Sequence, residues 1–545
     1  KFRQYGGSLG GPILKNKLFF FFSYEGLTNK TDTPYEGWVE TPQFRQAVVN
    51  ANPNSIAAKV LSSSGIEPRV AADLNVPCPA SFPSGQCRQV SGGLDIGSLT
   101  GATGQYVDIG ANPLGGGFDG VPDIQYALLG NPATQRGNQY NFRADYTRGN
   151  DSLTFSTYLT PLSGTSAQAA SQSRPMADLP NHPFNSAFTV TYSRVFTPTL
   201  FNQAHASFTR FAYNQISASS NVNWGIPNLQ VQNIPDGGAS INFGAPQANT
   251  TPAIFAQNTY EFNDTLSKVT GRHALRFGVV VRKMQNNDNL AGGARPVYTF
   301  QGLWNFANDA PIYEGINANP QNGAPADAQR YLRSGDYAGF IQDDIKLRPG
   351  FTLNLGLRYE YFAPLTDKGG QLSNLFFGSG NDYNTAYVRS VDRLYDPQWK
   401  NFAPRFGFAW SPESARNRFV VRGGYAWFYN QIPGAVFENS DQNPPSFANY
   451  GICCGNVSSP FANGQILYAL GSNNSIYGYP VNPALATGID PATGAPRGPS
   501  NPTAPTTQVY MAQRDMPNPF VQVYSLNLQL QLPWQFIATA GYSGS

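Results

Sequence analysis

The chain has 545 residues, of which only 13% are charged and 13% aromatic, and it carries 55 glycines and 43 prolines. A net charge of +3 with no basic run excludes the electrostatic footprint of a nucleic-acid binder. With 29 tyrosines and 37 phenylalanines and no collagen-like period, the chain is neither disordered nor fibrous.

The mean hydropathy is −0.34, and no stretch approaches the roughly 18 consecutive apolar residues of a membrane helix. That test is blind to a strand with one face toward lipid and the other toward water, because alternating residues cancel in any window. No signal peptide is visible at Lys1-Phe2-Arg3-Gln4.

In chain order, weaker strand signals at 5–12 and 18–27 come first, followed by a polar loop at about 30–135. Tyr140, Phe142, Ala144 and Tyr146 then alternate with Asn141, Arg143 and Asp145, and a short turn leads to Ser152–Leu159. Strands at 184–196, 200–213 and 257–267 flank a second loop at 214–256. From His273 to Val281, Leu275, Phe277, Val279 and Val281 oppose Arg276 and Gly278, and a third loop covers 286–335.

The pair Tyr337–Leu347 and Phe351–Tyr361 turns at Arg348-Pro349-Gly350. In its second member, Phe351, Leu353, Leu355, Leu357, Tyr359 and Tyr361 share one face. Eleven residues of period 2 match one tilted membrane strand of about 9–11 residues. Phe402–Trp410 and Phe419–Tyr429 form the next pair, a fourth loop covers 430–519, and Tyr524–Leu532 turns at Pro533-Trp534 into Gln535–Tyr542.

The spacing predicts an all-β transmembrane antiparallel barrel with about 14 strands, short periplasmic turns and long extracellular loops. Aromatic clusters at strand ends (Tyr359, Tyr361 and Phe362; Trp427, Phe428 and Tyr429; Trp410; Trp534 and Phe536) read as interfacial girdles. The opposite, polar face is expected to line the lumen with Asn141, Arg143, Asp145, Arg276, Arg282, Asn354, Arg358, Glu360, Arg405 and Arg422.

No catalytic, metal or cofactor set emerges. His182, His205 and His273 are far apart. Gly6-x-Ser8-x-Gly10 has the letters of a nucleophile elbow without the helix that motif needs, and Gly115 to Gly120 fits a dinucleotide-binding pattern inside a long loop. Asp343-Asp344 point to opposite faces of a strand, one toward the lumen and one near the strand end. Cys78 and Cys87 are close enough to bridge, although four cysteines allow three pairings. Trp224, Trp304 and the segment Tyr468–Tyr479 offer rings either for stacking on sugars or aromatic ligands or for packing within the loops themselves.

The opening segment, Gly6-Gly7-Ser8-Leu9-Gly10-Gly11-Pro12-Ile13 followed by Phe19-Phe20-Phe21-Phe22-Ser23-Tyr24-Glu25-Gly26, resembles the first barrel hairpin of Oar-like TonB-dependent transporters. Tyr337 to Asp344, Leu353 to Glu360, Phe402 to Trp410 and the segment from Pro519 to Ser545 are similar to later strands of that family. The resemblance implies a barrel of about 22 strands, an N-terminal plug, a periplasmic segment that binds the TonB complex, and energised movement of a large extracellular substrate. Against that pattern the chain starts at the first barrel strand and lacks a closing strand with a terminal aromatic. A fragment is therefore expected, with plug, N-terminal periplasmic domain and C-terminal strands absent. Its expected partners are outer-membrane lipid, TonB through the missing segment, and an unidentified substrate. A passive porin and a soluble all-β carbohydrate-binding protein are the competing readings.

Overall fold

The computed structural model describes all residues except 83, 100–115, 217–227, 235–238, 245–252, 291–296, 309–312, 321–323, 325, 379–384, 413–417, 438–439 and 454–508. Fourteen long strands dominate it. They are β1 (Phe2–Leu14), β2 (Leu18–Asp32), β3 (Pro132–Arg148), β4 (Asp151–Ser166), β5 (Phe184–Thr197), β6 (Leu200–Gln215) and β7 (Ala253–Thr270). After these come β8 (His273–Leu290), β9 (Gln329–Arg348), β10 (Phe351–Asp367), β11 (Phe402–Trp410), β12 (Phe419–Tyr429), β13 (Phe520–Gln531) and β14 (Ile537–Gly544).

Each long strand pairs antiparallel with its sequence neighbours, so a single sheet runs from β1 to β14, with the short strand Leu179–Asn181 bridging β4 and β6. Among the described residues no pairing joins β1 to β14. Among the described residues no helix is long and apolar enough to cross a membrane.

Alternation sorts the side chains. The register Leu355↔Asp343, Leu357↔Ile341 and Tyr361↔Tyr337 places one set of parities together. Asn354↔Asp344, Gly356↔Gln342 and Arg358↔Phe340 form the other. The apolar set is not buried by protein: Leu355 is 41% and Leu357 44% exposed, and Phe406, Leu526, Leu528 and Leu530 are similarly open. A band of exposed aliphatic and aromatic side chains on one face of a fourteen-strand sheet is what a lipid-facing surface requires.

The tight turns fall at one end of the sheet, and several use left-handed residues, including Asn16, Gly149, Gly271 and Gly350. Gly350 is doubly constrained, because a Cβ there would lie 2.1 Å from the carbonyl oxygen of Ser411 as well as sitting at φ 73°.

The other end departs from expectation. β7 and β8 each run 18 residues, past the limits read from alternation. Beyond Val281 the strand continues through Asn286, Asn287, Asp288 and Asn289, polar on both faces, so the two-residue period vanishes while the backbone ladder persists.

The segments expected to be polar loops are in part a folded lobe. Helices α1 (Pro42–Ala51), α2 (Ile56–Leu61) and α3 (Leu303–Ala307) form there. Thr41 caps α1 by accepting from the N–H of Phe44, and Ser55 caps α2 through Ala58. One small sheet joins Tyr35–Glu40, Ile124–Leu129, Gly93–Asp95, Arg88–Val90 and Val70–Asp73. Another joins Asn228–Ile234, Ala239–Gly244, Val297–Phe300, Tyr313–Ala318 and Ala448–Cys453. They share a core that includes Phe44, Ile124, Val231, Phe243, Phe300 and Phe306, all almost fully buried. A smaller cluster around Leu372, Leu394, Tyr395 and Phe437 covers the connections after β10 and β12.

Candidate polar wall and extracellular lobe

On β3, Asn141, Arg143 and Asp145 project to the polar side. Asn141 donates to Ser23 Oγ at 3.1 Å on the neighbouring strand. Arg143 grips Asp145 through two bonds of 2.7 and 2.9 Å, and Thr154 of β4 donates to the same carboxylate. From β3 through β6 this face is otherwise mostly hydroxyls and amides, with His205 beside Thr191 at 3.1 Å.

Charge gathers farther along. Arg282 of β8 binds Asp336 of β9, its Nε donating at 2.7 Å. Arg358 donates from Nε to Glu360 at 2.8 Å, two residues along β10. Asn354 and Gln342 both donate to Asp344, at 2.6 and 3.2 Å. Arg405 on β11 lies over the Phe428 ring at 4.8 Å. Arg276 and Arg422 share the polar parity and are exposed.

Thus Asp344 belongs to the polar face. Asp343 lies on the other face near the turn end, paired with His273 at 2.6 Å. Of the expected girdle rings, Tyr359 packs on Phe402 and Tyr361 stacks on Trp399 at 4.3 Å. Phe362 and Phe428 correct that expectation: both fall on the polar parity, and Phe362 is buried. Two neighbours in a strand must face opposite ways, so a run of adjacent aromatics cannot all join one girdle.

The lobe holds a cluster that alternation could not reveal. Arg174, on the β4–β5 connection, is fully buried and binds Glu40, also fully buried, through two nitrogens at 2.6 and 2.8 Å. Its Nε donates to the carbonyl of Asn242 and its guanidinium lies 4.4 Å over the Phe243 ring. Arg45 also reaches Glu40, at 3.1 Å. One charge therefore ties together three separate connections. The local signal was limited to Thr41-Pro42, a helix start next to Glu40.

Asp123 accepts from the N–H of Ile96 at 2.8 Å. Burial pushes its carboxyl up to about 8 against that stabilising bond, and the nearby carboxylates Asp95 and Asp119 add to the rise. Cys78 and Cys87 are joined by a disulfide, with Cα atoms 5.9 Å apart, in a segment packed on the lobe core. Cys454 is outside the described residues.

Trp304 is not free to stack on a ligand. It is 4% exposed, meets Phe44 edge-on at 5.6 Å and donates from Nε1 to the carbonyl of Ile96. Trp224 and the segment Tyr468–Tyr479 lie outside the described residues. In the glycine pattern, Gly115 lies outside the described residues, Gly116 N–H donates to the carbonyl of Ser98 and Gly120 N–H donates to Asp95.

An apolar exposed band, a polar opposite face and strands long enough to cross a bilayer define an integral β-barrel protein of the bacterial outer membrane. The family described as outer membrane beta barrel domain matches residues 1–545, and the chain belongs to it. The soluble all-β reading is thereby set aside.

Among solved structures, the chain is similar to the outer membrane transporter YddB from Escherichia coli, at 11% identity and a TM-score of 0.45, covering 99% of this chain and 46% of that one. It is also similar to the siderophore receptor PiuA from Acinetobacter baumannii, at 9% identity and TM-score 0.38, covering 99% and 55%. The FrpB iron transporter from Neisseria meningitidis gives 10% identity and TM-score 0.38, covering 99% and 52%. The chain spans about half the length of these structures. No curated protein sequence matches it.

Proposed function

We propose that this chain is barrel wall from a TonB-dependent receptor or transporter that moves a large solute across the outer membrane. In this reading the polar face, including the ten residues singled out from alternation, lines the lumen. The plug and the TonB-binding segment belong to a longer protein, and further strands close the barrel between β14 and β1. No covalent chemistry is involved.

The observation that carries the proposal is the division of labour between the two ends. One end has minimal turns, whereas the other has a folded lobe with its own core, fit to recognise a solute before it enters. The similarity of Gly6 to Gly26 to the first Oar-like hairpin supports the same assignment. The passive-porin alternative needs fourteen strands to close on themselves, and among the described residues no pairing joins the β1 and β14 edges.

The test is the intact mass of the native protein extracted from outer membranes. A mass several tens of kDa above 59.1 kDa supports the proposal. A mass near 59.1 kDa overturns it in favour of the porin.

A further inference from the structure

We infer that the polar wall carries an anion-binding hollow between Arg276 and Arg405, built to take a carboxylate or phosphate group of a small solute. The inference rests on the lumen assignment above.

The geometry comes from register. Arg276 faces Gln342 across the β8–β9 ladder, Gln342 faces Gly356 across β9–β10, and Gly356 faces Arg405 across β10–β11. Four residues thus stand in one row perpendicular to the strands, all on the polar face. Neighbouring strands lie about 4.8 Å apart, which sets the two arginine backbones roughly 14 Å apart. Long side chains at the ends of such a row can lean inward over the short residues between them.

The middle of the row is open because Gly356 has no side chain. The resulting hollow, of about 250 Å³, is lined by Arg276, Gln342, Gly356, Arg358 and Arg405, with Thr265 and Phe340 at its side. Phe340 lies flat against Gly278, where a Cβ would meet its ring at 2.1 Å, so the ring forms a fixed apolar flank.

Charge bookkeeping gives the hollow its sign. Of the carboxylates on this stretch of wall, Glu360 is paired with Arg358 and Asp336 with Arg282, while Asp344 accepts only from the neutral amides of Asn354 and Gln342 and Glu261 only from that of Asn263. Neither Arg276 nor Arg405 has a carboxylate partner among the described residues; Arg405 has only the Phe428 ring. Two guanidiniums that no carboxylate binds, both lining one glycine-floored space, attract an anion by the same logic as basic rings in anion pores. Arginine's fork suits a carboxylate or phosphate held through two bonds.

The experiment uses the full native protein in detergent at low salt, with pyrophosphate and citrate as probes followed by calorimetry. Wild-type protein is expected to bind at least one of them, and Arg276→Gln/Arg405→Gln to weaken that binding by about tenfold or more. Gly356→Leu keeps both charges but fills the space, and it too should abolish binding. At Gly356 a Cβ meets the Cβ of Arg405 at an ordinary 3.5 Å, so the backbone tolerates a side chain there. Arg143→Gln, on the distant β3, should change nothing. Heat-modifiable gel migration confirms that each variant is folded.

Absence of binding, or binding that ignores both substitutions, overturns the inference. Labelling of Arg405→Cys by a water-soluble maleimide separates the two levels. If the cysteine reacts but the wild type binds no anion, only the hollow is wrong. If it does not react, the lumen assignment falls and the hollow with it.

Discussion

The membrane sheet and the lobe above it are built on opposite principles. In the sheet the large apolar residues point outward and stay exposed, as with Leu355, Leu357 and Phe406, while cohesion comes from backbone ladders running through all fourteen strands. In the lobe the apolar residues point inward, and Phe243, Phe300 and Phe306 pack ring on ring with Phe243 and Phe306 stacked at 4.8 Å. The sheet takes lipid as its solvent and needs no core of its own. The lobe sits in water and must make one. The contrast explains why a composition with little charge and many aromatics serves both: the same side chains are turned out in one region and in toward a core in the other.

The comparison can be broken where charge is handled differently. Glu40→Gln strands the fully buried Arg174 without its carboxylate. Breaking a buried pair this way should destabilise the lobe by roughly 3–5 kcal/mol. Limited proteolysis should then cut within residues 33–131, while the heat-modifiable migration of the sheet stays as in the wild type. Collapse of both together would mean that the two regions are one cooperative unit.

Next in size is the lipid face. Leu355→Arg should cost roughly 2–4 kcal/mol in denaturant titrations from lipid vesicles, as expected for a charge near the bilayer midplane. Its neighbour Asn354→Arg, on the polar face, should be mild. Equal losses at the two positions would contradict the assignment of faces.

A more graded effect concerns pH in the lobe. Asp123 has a folded-state value of about 8, above the ordinary value of about 3.9 for the unfolded chain. Between these values the folded state holds the proton that the unfolded state has lost. Lobe stability should therefore fall as pH rises from about 4 to 8 and level off above that range. Asp123→Asn should flatten this slope, measured as proteolysis rate against pH. An unchanged slope would show that another group sets it.

The smallest effect is expected at Arg143. Its pair with Asp145 lies on a water-exposed part of the wall, with side chains 57% and 35% exposed. Arg143→Ala should cost less than about 1 kcal/mol in the vesicle titration. A loss comparable to that of Leu355→Arg would mean that the pair sits in a drier place than its exposure indicates.

Much of the sheet was legible beforehand because lipid on one side and water on the other write a two-residue period into each strand. Phe351 to Tyr361 and Tyr524 to Leu532 carry that period without interruption, and the polar parity of Arg276, Asn354 and Arg405 follows from it. The strand extensions beyond Val281 were not legible, since Asn286 to Asn289 are polar at both parities and leave no period to read. Nor was the lobe core, whose members Phe44, Val231, Phe243 and Phe306 come from short segments far apart in the chain.

By itself, then, the sequence determined which residues share a face and that the chain spans a membrane as strands. Both follow from local alternation, which needs no knowledge of neighbours. Tertiary structure alone decided that Arg174 meets Glu40 across 134 residues, that Trp304 is a core residue, and that Gln342 and Gly356 stand between Arg276 and Arg405. The physical reason is register: pairing between strands sets who stands beside whom, and no period within one strand records it.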